Sequence, residues 1–424
     1  MHLRAPKLLL LAAVCLLLMG NDGGCPVDDE AFLPGGGSGR DGGNGDDDLD
    51  LTHRAADWVI GQPGPEERNL DRAPDADVLT EPAVSSFRND LLFTADRANN
   101  RVTGHAGAPE EDNMPADFIL GQPSMTDAEP GFDADGMDQP DYVATDGQGL
   151  AVTDAGNDRV LIWRDLPDSG PTDAETVVGA PDLESSPAPG CFADSFDRPW
   201  GITAARNKLL VADHNHDRIL VWEEWPEADS EAQDRFADDV IGQEELEDCV
   251  NREPETPAAD TLFGPAGLWS DGSSLAVADH LNNRVLLWDD FPEDGEGADV
   301  VLGQPDMEGF GVNEGGLERG MDQPVDVHWD GERLLVVDPN NHRVLVWEAW
   351  PDEDHARPDA VFGQPDLETA SANNTGDDRD ISARSLSRPT GVHSDGERIF
   401  IADRDNDRVV LHDLSEDDGN GPGD

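Results

Sequence analysis

Positive charge is what this sequence has least of. Against 93 aspartates and glutamates stand 28 basic residues, a net charge of −65, and of those 28 only Lys7 and Lys208 are lysines. A chain of that sign repels nucleic acid, whose binding depends on Lys and Arg neutralising phosphates. It gains nothing electrostatically from an anionic membrane either. Excess acid with almost no lysine is the composition of proteins adapted to salt, where screening makes carboxylate repulsion tolerable. A GC-rich genome favouring Arg and Asp codons gives the same signature. Cysteine is scarce, at four residues, with no CxxC pair. A nucleophile elbow, a phosphate-cradling glycine loop and HExxH are also missing. Past the N-terminus, no apolar run is long enough to cross a bilayer.

The one long apolar run, Leu8 to Met19, follows Arg4 and Lys7. It reads as a secretory signal peptide over 1–24, outside the fold proper. Cys25 stands at the expected cleavage point, and the tether of 25–54 includes a Gly/Asp-rich stretch that cannot form a core. Signal, cysteine and acidic tether together resemble a bacterial lipoprotein. That resemblance implies a lipid on Cys25 and a place on the cell envelope, with membrane contact only through the anchor. Cleavage without lipidation, giving a periplasmic or secreted protein, is the alternative. Residues 414–424 read as a disordered acidic tail.

Between these ends, one phrase returns six times: an apolar strand ending in Asp, a polar turn, then Arg opening another strand. The copies are TADRANNRV (94–102), TDAGNDRV (153–160), ADHNHDRI (212–219), ADHLNNRV (278–285), VDPNNHRV (337–344) and ADRDNDRV (402–409). Self-similarity at a long period marks a repeat architecture. Within one unit, RPWGIT (198–203), KLLVAD (208–213), RILVW (218–222) and DDVIGQ (238–243) read as four short strands rich in Val, Ile, Leu and Trp. No stretch has helical periodicity, so the chain is all-β. The fourth strand recurs as WVIGQP (58–63), FILGQP (118–123), VVGAP (177–181), VIGQE (240–244), VVLGQP (300–305) and VFGQP (361–365). This second series is offset: its first copy precedes every Asp-turn-Arg phrase, and the last phrase has no copy after it. The offset describes a six-bladed β-propeller of four-stranded blades over 55–413, closed by the N-terminal strand in the last blade. Closure of this kind leaves no sheet edge exposed.

The phrases RPWGI…LLVADHNHDRILVW and RPTGV…IFIADRDNDRVV resemble the NHL repeat family, whose pattern is a Pro-x-Gly strand, a strand ending in Ala-Asp, and an Asn-x-Arg-Val strand. The likeness covers about residues 55–413. The first repeat departs from it at Thr103-Gly104-His105, and the third at His216. The resemblance implies a propeller, and that family and similar propellers include metal-dependent enzymes with sites at the central channel.

What recurs six times is scaffold, because six equivalent turns are more plausible than six equivalent active sites. Trp163, Trp222, Trp288 and Trp347 fall in register and are assigned to packing between blades. Trp200, Trp269 and Trp329 lie on first strands and are candidates for lining the centre. Two histidine groups are candidate metal sites. One is Asp326, His328 and His393 on adjacent inner strands, where imidazoles and a carboxylate suit a divalent transition metal. The other is His214, His216, His280 and His342 in the turns of blades three to five. Surface or packed histidine is the plainer reading of both, so no cofactor is expected as a rule, with a divalent metal as the exception. The acidic loop 127–141 has oxygen donors for calcium but not the EF-hand spacing.

Cys191 and Cys249 sit in successive long loops on one face, and an exported chain meets an oxidising environment, so they are expected to form a disulfide. The expected function is a monomeric, non-enzymatic propeller that binds a protein, peptide or glycan through its loop face, and not nucleic acid. The alternative is a metal-dependent lyase or hydrolase at the central channel. The residues after each first-strand Pro decide between them. They are Ala83, Asp141, Trp200, Ala266, Val325 and Thr390, mostly small or apolar, and they favour binding.

Overall fold

The computed structural model describes residues 51–415 except 69–71, 186–189, 228–234, 249–256, 294 and 378. The expected signal, Cys25, Cys249 and the tail from residue 416 lie outside the described residues. Six antiparallel four-stranded sheets follow one another. Blade 3 is representative: Pro199–Ala205 is the inner strand, Lys208–Asp213 the second, Arg218–Trp222 the third and Asp239–Ile241 the outer. Each inner strand touches the inner strands of both neighbouring blades, and blade 6 meets blade 1, so the ring is closed.

The sixth blade shows how the first and last strands meet. Blade 6 takes its inner three strands from Pro389–Ser394, Arg398–Asp403 and Arg408–Asp413. Its outer strand is Trp58–Ile60, antiparallel to the third, with Trp58 opposite Leu411 and Ile60 opposite Val409. The offset between the two repeat series has this pairing as its cause.

Apolar residues run consecutively in the strands because both faces of each blade are covered. Every residue of Arg218–Trp222 is buried, as is every residue of Arg284–Trp288 and Arg343–Trp347. The core is accordingly divided into clusters that each lie between successive blades. Val160 and Ile162 of blade 2 pack with Val211 and Leu220 of blade 3, and Ile60 and Val409 of blade 6 pack with Leu92 of blade 1. Trp163, Trp222, Trp288 and Trp347 are buried there, each indole N–H donating to a backbone carbonyl, such as Trp163 to Thr172 at 3.0 Å. In blade 1 the departure at Gly104 has a steric reason. A Cβ there would lie 2.2 Å from Cζ of Phe118, whose ring fills the space.

The repeated Asp and Arg form a buried ion pair in all six blades, with Nε–Oδ2 distances of 2.7 Å for Arg101–Asp96 and 2.6 Å for Arg284–Asp279. The Asp uses Oδ1 to accept a backbone N–H from the chain leading into its own inner strand, as Asp96 does from Thr80 at 2.7 Å. The Arg spends its remaining donors on carbonyls of two loops. Arg159 reaches Asp133 and Gly136 before its blade and Leu183 after it. A buried charge is tolerable only when so fully paired and hydrogen-bonded. One residue thereby fixes a turn and both flanking loops, and the motif is scaffold.

Candidate functional site

The residue that ends each turn lies in the left-handed region: Asn100, Asp158, Asp217, Asn283, His342 and Asp407. Its side chain accepts a backbone N–H from the next blade, at the residue before that blade's inner-strand Pro. The pairs are Asn100 with Gln139, Asp158 with Arg198, Asp217 with Gly264, Asn283 with Gln323, His342 with Arg388 and Asp407 with Glu81, at 2.8 to 3.0 Å. The six donating residues also carry positive φ, from 48° at Arg388 to 58° at Arg198. That conformation costs a residue with a Cβ about 1–2 kcal/mol, and the latch offsets it. The turns and the long interblade loops therefore share one face, and the latched residues ring the mouth of the channel there.

The four turn histidines separate into different roles. His342 accepts the N–H of Arg388 on Nδ1 at 3.0 Å and is a latch. His216 takes the place of the Asn found in the other turns, with Nδ1 2.8 Å from Asp213 Oδ2. Only His214 and His280 come together, ring centroids 5.7 Å apart, with Trp200 against both at 4.5 and 5.3 Å. Their Nδ1 atoms face backbone carbonyls, of Pro265 for His214 and of Gln323 and Pro324 for His280. Burial pushes the His214 pKa down to about 4, helped by His280, and burial lowers that of His280 as well. Both are neutral at pH 7.

The second group is partly assembled. His328 and His393 lie side by side, centroids 4.6 Å apart. Each faces a carbonyl of the following blade with Nε2: Ser394 at 2.8 Å for His328 and Phe87 at 3.1 Å for His393. Burial lowers both pKa values, with His328 adding to the effect at His393. Asp326 does not join them in a donor set. Its Oδ2 accepts the N–H of Val392 at 2.8 Å and its Oδ1 that of Val327 at 2.9 Å. Among the described residues, no three His, Cys, Asp or Glu side chains gather in a way that could hold a metal ion. These side chains staple inner strands that share no sheet hydrogen bonds.

Asp326 is nonetheless unusual. Burial raises its pKa to about 7, with no cation nearby to oppose it. Tyr142, the chain's single tyrosine, is buried beside it and donates to the carbonyl of Val325 at 2.5 Å. Gly267 makes this fit possible, since a Cβ there would lie 2.4 Å from Asp326 Oδ1 and 2.7 Å from the Tyr142 oxygen. The pair faces a cavity of about 430 Å³ that opens on the face opposite the loops, past Ser86, Trp269, His328 and His393. Of the three first-strand tryptophans, Trp269 lines this cavity and Trp200 sits at the loop-face mouth. Trp329 packs on Trp350 instead, 5.5 Å between centroids.

The arginines at the loop-face mouth stand outside the candidates that the repeat and the histidines single out. Arg97 binds Asp141 through Nε at 2.6 Å and Gln139 through Nη2 at 2.6 Å. Arg404 pairs with Glu81 at 2.5 Å, and Arg97 approaches the same carboxylate at 3.5 Å. Arg198 lies over Trp200, 5.4 Å from the ring centroid. Burial raises the Asp141 pKa, while Arg97 most strongly, then Arg198 and Arg404, pull it back down. Arg388 completes the group beside Asp405. Arg97 and Arg404 each follow a strand-ending Asp, and Arg198 and Arg388 each precede an inner-strand Pro, positions that other residue types fill in the remaining blades, so a search for what recurs passes over them.

No known protein-family pattern matches the chain, and no curated protein matches it. The NHL likeness thus rests on the phrases quoted above. Solved structures of low identity match its fold. A virginiamycin B lyase from Staphylococcus aureus is 12% identical, over 81% of this chain and 99% of that one, with a TM-score of 0.41. A WD40-repeat structure is 12% identical, over 78% of each chain, with a TM-score of 0.39. The nidogen/laminin complex includes a chain 16% identical over 63% of this one and 75% of its own, with a TM-score of 0.35. What these neighbours share with the chain is the propeller alone.

Proposed function

We propose that this protein is an exported, envelope-anchored β-propeller that binds its ligand, without chemistry, at the loop-face mouth of the channel. One observation carries the reading: Arg97, Arg198, Arg388 and Arg404 gather around a single opening of a chain whose net charge is −65. Their residue type at these repeat positions does not recur in the other blades, and each draws its conformation or partner from a neighbouring blade. Glu81, Asp141 and Asp405 neutralise part of this group, and Arg198, which enters no ion pair among the described residues, is left to attract an anionic ligand. Lipidation of Cys25 would hold that rim outside the cytoplasm. A Cys191–Cys249 disulfide would tie together two loops of the same face, and thiol titration of the unreduced, denatured protein tests it. Two reactive thiols would sink that pairing.

Probing the full chain and its Arg198→Gln/Arg388→Gln variant against one panel of glycans and peptides tests the binding site. Both side chains are exposed, so the variant keeps the fold. Ligands held by the wild type and lost by the variant support the mouth as the site. Ligands held equally by both would remove it.

The catalytic alternative has one observation in its favour: a buried carboxyl with a pKa of about 7, beside a tyrosine, on a cavity of about 430 Å³. Perturbed groups of that kind cluster at functional sites, and a value near neutrality suits a general acid or base. Turnover of a bound ligand that disappears in Asp326→Asn would establish it.

A further inference from the structure

We propose that the cavity of about 430 Å³ on the face opposite the loops is a second binding site, and that its ligand is a neutral saccharide. This site goes beyond the loop-face reading and does not depend on it. One position of the inner strands builds it: Ser86, Ala144, Thr203, Trp269, His328 and His393 all line the cavity. Each sits opposite the same position of its blade's second strand, as Thr203 does opposite Leu210 and His328 opposite Leu335. The other four follow the same register, so the six form one layer around the channel. Five residue types fill these six equivalent places, and the packing of the repeat therefore does not dictate them.

Five of these side chains carry polar groups that the fold leaves open. Nε2 of His328 and of His393 donates to a backbone carbonyl, so in the neutral rings both Nδ1 atoms are bare acceptors. Neither Nδ1 has a partner among the described residues, and neither is sealed from solvent. The same holds for the hydroxyls of Ser86 and Thr203 and for the Trp269 N–H. Thr203, Trp269, His328 and His393 are half-buried, within reach of a ligand in the cavity. Two imidazole nitrogens fall short of the three protein ligands of a catalytic zinc, and the Asp326 oxygens are spent on Val327 and Val392. A carboxylate only accepts, so it would leave both imidazoles unanswered. An ammonium only donates, so it would leave the Trp269 N–H unanswered. The opening sets Arg88 and Arg206 against Asp146 and Asp271, and it selects neither sign of charge. A hydroxyl both donates and accepts. A sugar ring carries hydroxyls all round its rim, which suits polar groups arriving from five of the six blades. A peptide carries its amides along a line.

Calorimetric titration of the full chain with glucose, galactose and mannose tests the assignment. At least one should bind, about tenfold or more tightly than its own uronic acid and amino sugar, each of which leaves a group of the layer unmatched. Thr203→Val and Ser86→Ala each remove a hydroxyl that holds nothing in the fold. Both variants should melt like the wild type and bind the sugar about threefold or more weakly. Arg198→Gln/Arg388→Gln, altered at the opposite face, should bind it as the wild type does. Loss of binding in that variant would place the sugar at the loop-face mouth and overturn the cavity. No binding of any of the three sugars, tighter binding of a charged form, or an affinity unchanged in both hydroxyl variants would also overturn the proposal. So would tighter binding of N-acetylglycylglycinamide, a neutral peptide of similar size. Failure at the cavity leaves the loop-face mouth to its own comparison of ligands.

Discussion

Oδ1 of Asp407 accepts the backbone N–H of Glu81 at 2.9 Å, which joins blade 6 to blade 1 across 326 residues of chain. Three residues further along the chain, the closure is repeated by the sheet itself, where Val59 pairs with Val410. Gln62 adds a hydrogen bond from Nε2 to the Asp407 carbonyl at 3.1 Å.

Removing the chain through residue 63 deletes Val59 and Ile60, both buried, along with Gln62. At about 1.5–3 kcal/mol for each buried aliphatic side chain, the loss is roughly 3–6 kcal/mol, and a bare sheet edge is left on blade 6. Thermal melting and light scattering of the truncated protein should show a lower Tm and aggregation. An unchanged Tm would mean that the strand contributes nothing to closure.

The repeat, the two middle strands of the blade and this closure were legible in the sequence because they follow from local apolar runs and from the offset of two series. The inner strand, by contrast, is Pro199–Ala205 and not 198–203, and the outer is Asp239–Ile241 and not 238–243. The interblade latches were not. Asn100 and Gln139, or Asp407 and Glu81, are linked only by the folded ring, and the left-handed residue is Asn, Asp or His with no fixed identity to search for. The histidines were assessed by type, and type misled: His214 and His342 sit in equivalent turns three positions apart, one packed on Trp200 and the other capping Arg388. Asp141 was counted in a lining described as mostly small or apolar, and its partner Arg97 lies 44 residues earlier on another blade.

The Arg clamps can be tested at Arg159. Replacing it by Met leaves the Asp154 carboxyl and three loop carbonyls without their donor. Breaking a buried pair in this way costs about 3–5 kcal/mol. Burial already raises the Asp154 pKa to about 6, against the opposing pull of Arg159. Denaturant unfolding should register the loss, and the double variant Arg159→Met/Asp154→Asn should recover part of it. A single variant as stable as the wild type would mean the pair is idle.

Asp326 gives a pH signature. A carboxyl whose folded pKa is raised binds its proton more tightly when folded, so its contribution is present at low pH and is lost as pH rises from 3.8 through about 7. At about 1.4 kcal/mol per pH unit, that window is worth on the order of 4 kcal/mol. Asp326→Asn cannot ionise, so its Tm relative to the wild type should rise between pH 4 and 8 and level off above. A difference that stays flat across that range would show that Asp326 ionises normally.

Salt separates the two origins of the acidic composition. Roughly 1 M KCl shortens the Debye length to about 3 Å, and if repulsion among the 93 carboxylates limits stability, Tm should climb with salt. Indifference to salt would assign the composition to codon usage. Binding at the arginine rim should move the opposite way, since screening weakens attraction between exposed charges.

The six latches are alike in geometry, including the one at the seam. Nothing in the hydrogen bond that Glu81 donates to Asp407 distinguishes it from that of Gln139 to Asn100 or Gln323 to Asn283. The place where the chain enters the ring is thus arbitrary from the standpoint of the blades. Joining residues 413 and 57 by a short linker and cutting an exposed loop elsewhere should yield a circular permutant with the same ring. In such a permutant the arginine rim would survive, because its members are placed by neighbouring blades and not by their distance from a terminus.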